Sequence, residues 1–288
     1  MTDTDMRSIL GAMAERNKME PEEIPEGTYR ADDGLLHCKV CDQPVQHRLD
    51  IGGTVHLVRC ICRCDEERRK REEEEERQRR ERMYIASLKA NGIQEQHFYS
   101  WTFANAEQNG DIQMAQRYVS QWEKAKEQNL GLLLWGGVGT GKTYIAACIA
   151  NALIEQKVPV LMTNFSKVLN QMGAMYSEDR YKYISDFSKF PLLIIDDLGV
   201  ERSTEYVREQ IFAIIDERYK ANLPLIVTTN LTIDELSDPK DVADARIYSR
   251  LLEMCAPIQI RGSDRRQKAG DAKIDLAQQM LFESEVSR

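Results

Sequence analysis

Residues 136–143 read Gly-Gly-Val-Gly-Thr-Gly-Lys-Thr, between the apolar run Leu132-Leu133-Leu134-Trp135 and a second apolar run from Tyr144 to Ala150. Few folds accept that pattern, because it demands a strand, a tight loop and a helix in that order. Glycines let a backbone wrap a polyphosphate with its N–H groups turned inward, and the N-terminus of the next helix adds favourable partial charge. Gly136, Gly137, Val138, Gly139, Thr140, Gly141, Lys142, Thr143 and the adjoining Tyr144 are therefore the candidate contacts to ATP or ADP. Lys142 is placed to reach the β- and γ-phosphates, and the Thr143 hydroxyl to complete the shell of a Mg²⁺ ion. A glycine-rich turn with an incidental lysine is the bland alternative, and the flanking apolar runs argue against it.

Binding becomes hydrolysis only if the chain also supplies a metal carboxylate and a group that orients water. Residues Pro191 to Gly199, Pro-Leu-Leu-Ile-Ile-Asp-Asp-Leu-Gly, read as a strand buried on both faces and ending in two acids. Asp196 is the expected Mg²⁺ carboxylate and Asp197 the acid that orients the attacking water; capping of the next helix is the structural alternative. Leu225 to Asn230 is a third run of this kind, and Asn230 is expected to read the γ-phosphate. Further strands are expected at Val158 to Thr163 and Ala256 to Ile260. Helices are expected over Ile112 to Gln128, Thr143 to Glu155, Phe165 to Met175, Thr204 to Ala221 and Ala243 to Met254. The fold class is thus α/β, a parallel doubly wound sheet with its ligand at the carboxyl ends of the strands. A polar and aromatic connector, Gly92 to about Asn109, is a candidate neighbour of the adenine.

From about His97 onward the chain resembles the DnaC/DnaI/IstB-like AAA+ ATPases, bacterial and phage helicase loaders and transposition helper ATPases. The resemblance rests on the phosphate loop, Asp-Asp-Leu-Gly, Thr-Thr-Asn and Arg246-Ile-Tyr-Ser-Arg250-Leu-Leu-Glu. It implies an AAA+ P-loop fold with a short C-terminal lid. It also makes Arg250 an arginine finger that enters a neighbouring subunit's site, with Arg246 a turn earlier, and hence implies self-association. Two surface arginines on an amphipathic helix are the alternative. Gly262-Ser263-Asp264-Arg265-Arg266 resembles the sensor II segment, with the lid contact on Arg265 or Arg266 and Asp264 where the family has an aromatic.

The amino-terminal third is a different object. Cys38-Lys-Val-Cys41 is followed, beyond a likely hairpin turn at Gly52-Gly53, by Cys60-Ile-Cys62-Arg-Cys64. Four thiolates at about 2.3 Å from Zn²⁺ staple a segment too small for a large apolar core, so a zinc-ribbon-like domain is expected. Cys38 and Cys41 supply one pair; Cys62 and Cys64 fit the family's spacing for the other, and Cys60 with Cys62 offers the same spacing. His37, His47 and His56 are reserve ligands. A disulfide framework fits less well, since no secretory leader pattern opens the chain and the ATPase reading places it in a reducing cytoplasm. Cys148 and Cys255 lie in apolar helical pattern and read as core.

Asp65 to Arg82 is almost wholly charged, with acid-to-base spacings at Glu67/Arg71, Glu73/Arg77 and Glu76/Arg80 that suit a solvated helix or, alternatively, a disordered tract. The expected division is 1–64, an N-terminal helix (Met6, Ile9, Leu10, Met13) and cysteine domain that binds the helicase; 65–96, a charged helical linker; and 97–288, the ATPase. A net charge of −8 on 288 residues excludes a globally basic grip on duplex DNA. The resemblance implies local contact with single-stranded DNA at Tyr176, Thr204 and Tyr206, where aromatic stacking and hydroxyls suit sequence-tolerant binding; Thr204 also suits a helix N-cap. It further implies a DnaB-type replicative helicase as partner and helicase loading as the function, with an IstB-like transposition helper or a nearly silent adaptor as alternatives. No membrane segment is visible.

Overall fold

The computed structural model describes residues 24–199, 204–262 and 264–282; Ser263 and the N-terminal helix expected around Met6 to Met13 lie outside them. The chain divides into two compact units, Met1–Arg82 and Met83–Arg288.

In the first unit, β1 (Thr28–Arg30) pairs antiparallel with β2 (Leu36–Cys38), and β3 (Gln46–Ile51) with β4 (Thr54–Arg59). Gly52 and Gly53, both at positive φ, form the two-residue turn joining β3 to β4, a geometry that matches strand twist and penalises any side chain. The apolar interior is tiny: Leu36, Val45, Cys38 and Cys62. Helix α1 (Arg63–Gly92) leaves this unit as a polar rod, 30 residues long. Its ion pairs are exposed and worth only a few tenths of a kcal/mol each. Glu76 pairs with Arg80 as the spacing predicts, whereas Glu67 pairs back to Arg63, Glu73 to Arg69, and Arg77 to Glu74. In so dense a run of charge each acid has partners in both directions, so spacing alone does not choose between them.

The polar character of α1 ends in its last turns. Ile85 and Leu88 pack on the core of the second unit, Ile93 bridges to Met162, and a Cβ on Gly92 would sit 2.0 Å from the Val160 carbonyl oxygen. Two one-turn 3-10 segments follow. Then come α2 (Gly110–Ser120), α3 (Trp122–Glu127), β5 (Gly131–Trp135), α4 (Lys142–Glu155), β6 (Val160–Asn164), α5 (Phe165–Gly173), α6 (Ser177–Asp186) and β7 (Leu192–Leu198). The order continues with α7 (Glu205–Lys220), β8 (Leu225–Thr229), α8 (Ile233–Ser237), α9 (Val242–Met254), β9 (Cys255–Gln259) and α10 (Arg265–Phe282).

The sheet is parallel throughout, in the order β6-β7-β8-β5-β9. Alternation along each strand builds two cores. Leu132, Leu134, Leu192, Ile194 and Ile226 face α2 and α4, whereas Leu133, Leu193, Ile195, Leu225 and Val227 face α5, α7 and α9. Each such side chain removed from water contributes about 1.5–3 kcal/mol.

Three expectations need correction. The helix expected over Ile112 to Gln128 is broken at Gln121 into α2 and α3. Cys255 is buried but opens β9, because α9 ends at Met254 and the chain turns straight into the strand. The polar helix α6 has no buried residue, so it lacks the apolar stripe that periodicity detects.

One buried charge holds the strand starts together. Arg218 of α7, 0% exposed, donates from its two terminal nitrogens to the carbonyls of Phe187, Phe190, Pro191 and Pro224 at 2.7–3.1 Å. At the start of β5, a Cβ on Gly131 would lie 2.2 Å from the Leu225 carbonyl oxygen and 2.8 Å from Cys255 Sγ. Gly131→Ala is therefore expected to destabilise the second unit by about 1–3 kcal/mol through overpacking between two strands, read as a lowered midpoint in denaturant at unchanged slope.

Candidate nucleotide site and cysteine centre

The loop between β5 and α4 brings together groups far apart in sequence. Gly136, at φ 144°, passes so close to β9's exit that a Cβ would meet the Ile260 carbonyl oxygen at 2.4 Å. Lys142, 5% exposed, donates to the carbonyls of Gly136 and Gly137 at 2.9 and 2.7 Å and to Asn230 Oδ1 at 2.8 Å. The expected phosphate-binding lysine and the expected γ-phosphate reader are thus in direct contact. Thr140 closes the loop by donating to the Gly137 carbonyl at 3.0 Å.

The two acids sit where β7 slips out of step with β8, between Ile195 and Leu198. Asp197 takes φ 56°, an uncommon conformation for a residue with a side chain and one that aspartate tolerates better than most. A hydroxyl not singled out from the sequence holds both acids. Thr228 Oγ1 donates to Asp196 Oδ1 at 2.6 Å and accepts the Asp197 backbone N–H at 2.9 Å. Its neighbour Thr229 donates to the Leu198 carbonyl at 2.7 Å and accepts the Leu231 N–H at 3.1 Å. The Thr-Thr-Asn run is the signal that could have located Thr228, since strand β8 ends beside β7 with the Thr228 hydroxyl toward the acids. Burial pushes the Asp196 carboxyl above its ordinary range, against the opposing hydrogen bonds from Thr228 and Thr143.

Thr143, Asp196 and Asp197 open onto a polar cavity of about 270 Å³ whose far wall is the connector. There Thr163 donates to Gln94 Oε1 at 2.9 Å and Lys167 pairs with Glu95. Asn151 of α4, 1% exposed, fixes the connector by donating to the carbonyls of Phe98 and Trp101, and the Trp101 ring lies 5.3 Å from that of Tyr144. Val138 is exposed on the loop.

The other expected site residues lie elsewhere. Arg250 of α9 packs against α7: its guanidinium pairs with Asp216 at 3.0 Å and stacks over Phe212 at 4.4 Å. Arg246 is exposed one turn earlier. The side chains of Arg265 and Arg266 lie outside the described residues. Tyr176 is exposed ahead of α6, and Thr204 caps α7 by accepting the Val207 N–H at 3.3 Å. The guanidinium of Arg180 lies 5.9 Å above the ring of Tyr206, so α6 and the start of α7 present one surface.

In the first unit, the sulfurs of Cys38, Cys41, Cys62 and Cys64 all lie within 4.8 Å of one another. A tetrahedral zinc with bonds of about 2.3 Å spaces its sulfurs about 3.8 Å apart, so the set has the right size and chemistry. Two knuckles build it. Asp42, at φ 58°, turns the chain after β2 and donates its N–H to the Cys38 carbonyl at 2.9 Å; Gln43 Oε1 accepts the Arg63 N–H at 2.8 Å and ties that turn to the start of α1. The backbone N–H of Gln43 holds the Cys41 thiol down at about 6, while hydrogen bonding with Cys41 pushes Cys64 up to about 12. Four thiols crowded into one small space offer ligands whose negative charge on ionising a divalent cation would balance. Cys60 stands outside the cluster with its thiol on the Pro44 carbonyl at 3.3 Å, and His37 is engaged by Asp33 and the Asp42 carbonyl.

Fold and loop together define a P-loop nucleotide-binding protein. The family model described as IstB-like ATP binding protein matches residues 63–272, and the chain belongs to that family, within the DnaC/DnaI/IstB-like AAA+ ATPases. It is similar to the replicative helicase loader DnaI of Bacillus subtilis (strain 168), 28% identical over 147 residues, 47% of each chain. It is 26% identical over 130 residues to the replicative helicase loader DnaC of Escherichia coli (strain K12), covering 44% of this chain and 51% of that one. The chain therefore spans about half the length of these curated relatives. A crystal structure of DnaI superposes with a TM-score of 0.51 at 28% identity, covering 60% of this chain and 95% of that one. Among the described residues, no helix is long and apolar enough to cross a membrane.

The raised Asp196 carboxyl has a testable sign. Because the folded state holds this proton more tightly than the unfolded chain, the charged form costs stability at neutral pH, and the cost fades as pH falls through the raised value. Asp196→Asn is therefore expected to raise the melting temperature of the ligand-free protein at pH 7, with the gain shrinking in acid. A melting temperature that falls at pH 7 would contradict the burial argument.

Proposed function

We propose that this chain is an ATP-hydrolysing loader of a DnaB-type replicative helicase onto single-stranded DNA. The observation that carries the ATPase reading is the convergence of Lys142 on Asn230, beside the paired acids held by Thr228. Thr143 and Asp196 would hold Mg²⁺, which neutralises phosphate charge during transfer. In this reading Lys142 moves off its loop carbonyls onto the β- and γ-phosphates, and Asn230 follows the γ-phosphate. Asp197 orients the attacking water from the side of the cavity and accepts its proton. Arg250 completes the site of a neighbouring subunit after exchanging Asp216 for a phosphate. Tyr176, Thr204 and Tyr206, grouped on the α6–α7 surface, contact the single strand.

Similarity to two helicase loaders, together with a four-cysteine centre at the head of a long polar helix, supports loading as the task. In this division of labour residues 1–64 capture the helicase, 65–96 link and 97–288 hydrolyse ATP. The family match itself favours a second reading, an IstB-like transposition helper. Purification with the host's replicative helicase, with and without ATP, separates the two: a loader retains the helicase and a transposition helper does not.

For the nucleotide site, Lys142→Ala is expected to lose nucleotide binding, while Asp197→Asn keeps ATP bound and turns it over at least about a hundredfold more slowly in single-turnover assays. A mixture of Arg250→Ala and Lys142→Ala chains should regain part of the ATPase, since the second chain offers its arginine to the first. No regain at any ratio removes the trans-acting role of Arg250.

For the cysteine centre, metal analysis is expected to find one zinc per chain, because four thiolates complete a structural site. Cys41→Ser should still bind nucleotide and fail to capture the helicase. Capture by a zinc-free protein would refute the role assigned to this centre.

A further inference from the structure

Beyond β9 the chain runs along the phosphate loop. The Ile260 N–H donates to the Trp135 carbonyl at 2.8 Å, extending the strand pairing, and the Ile260 carbonyl lies against Gly136. A Cβ on Gly262 would be 3.8 Å from the Thr140 carbonyl oxygen. Asp264 then comes down on Gly139: a Cβ there would meet its Oδ1 at 1.8 Å and its Cγ at 2.3 Å. Gly139 is at φ 74°, a conformation that residues with a side chain rarely adopt. The closest neighbour of the loop's middle glycine is thus a carboxylate, supplied by the residue that leads into α10.

A phosphate loop gathers backbone N–H dipoles around an anion. A carboxylate in contact with that loop is a competing negative charge, and its repulsion of an incoming polyphosphate is strong where water is scarce. We propose that Asp264 is a charge gate on the nucleotide site: its carboxylate on the loop at Gly139 lowers affinity for polyphosphates, for ATP more than for ADP. The gate rests on the reading of residues 136–143 as the nucleotide site. It grades nucleotides by their charge.

The test measures dissociation constants for ATP and ADP, with magnesium, in the full chain and its Asp264→Asn form, at low salt and at 1 M salt. The neutral amide is nearly the same shape, so packing changes little. ATP is expected to bind about tenfold more tightly to Asp264→Asn, ADP about threefold more tightly, and both gains should shrink at high salt. Equal gains for ATP and ADP, or gains unaffected by salt, mean a steric role and overturn the gate; so does an ATP affinity that is unchanged or weakened. Asp264→Glu, which keeps the charge, should not tighten binding. Failure of the unmodified chain to bind ATP overturns the nucleotide-site reading itself and the gate with it, which distinguishes that failure from an inert Asp264.

Discussion

Strands β7 and β8 run in step as far as Ile195 opposite Val227 and then slip before Leu198, and the acids of the site occupy that slip. Everything chemical in the second unit depends on how the slip is held. An in-step parallel ladder would use the Asp197 N–H for pairing; here it goes to the Thr228 hydroxyl, which spends its own proton on Asp196. One side chain therefore satisfies a displaced backbone group and a buried carboxylate at once. An unpaired group of either kind costs about 1–3 kcal/mol, so the threonine offsets much of what the irregular backbone costs.

The two units solve stability differently. The second has a sheet covered on both faces and buries enough aliphatic area to stand on hydrophobic contact. The first has a handful of buried side chains and two small hairpins, far below what a segment of its size needs from apolar contact alone. Its four sulfurs are arranged where a metal bond would substitute for a core. Helix α1 changes character along its length, water-facing for most of its turns and apolar where Ile85 and Leu88 pack within the second unit.

Local signals were legible and long-range ones were not. The phosphate loop, both strands with polar ends and the Gly52-Gly53 turn declare themselves, because each is a short contiguous pattern with one physical reading. The cysteine pairs were legible as a set, and the family's spacing favoured Cys62 and Cys64 over Cys60; what the spacing does not record is the hold of Gln43 on Arg63 that ties the first pair's turn to the start of α1. Helix α6 escaped notice for want of an apolar stripe, and Thr228 because its task lies on the neighbouring strand. The contact of Asp264 with Gly139 joins the exits of β5 and β9, neighbours in the sheet but far apart in the chain; in sequence it is visible only as an acid where an aromatic is usual.

Arg218 anchors the opposite end of the same two strands. Its four hydrogen bonds all end on main-chain carbonyls, which do not titrate. Acid that protonates Asp196 thus leaves this clamp untouched, and the sheet acquires a polarity of response: its amino-terminal edge is indifferent to acid while its carboxyl-terminal edge is sensitive to it. Changes of charge at the nucleotide end can rearrange the acids there without loosening the register on which they are built.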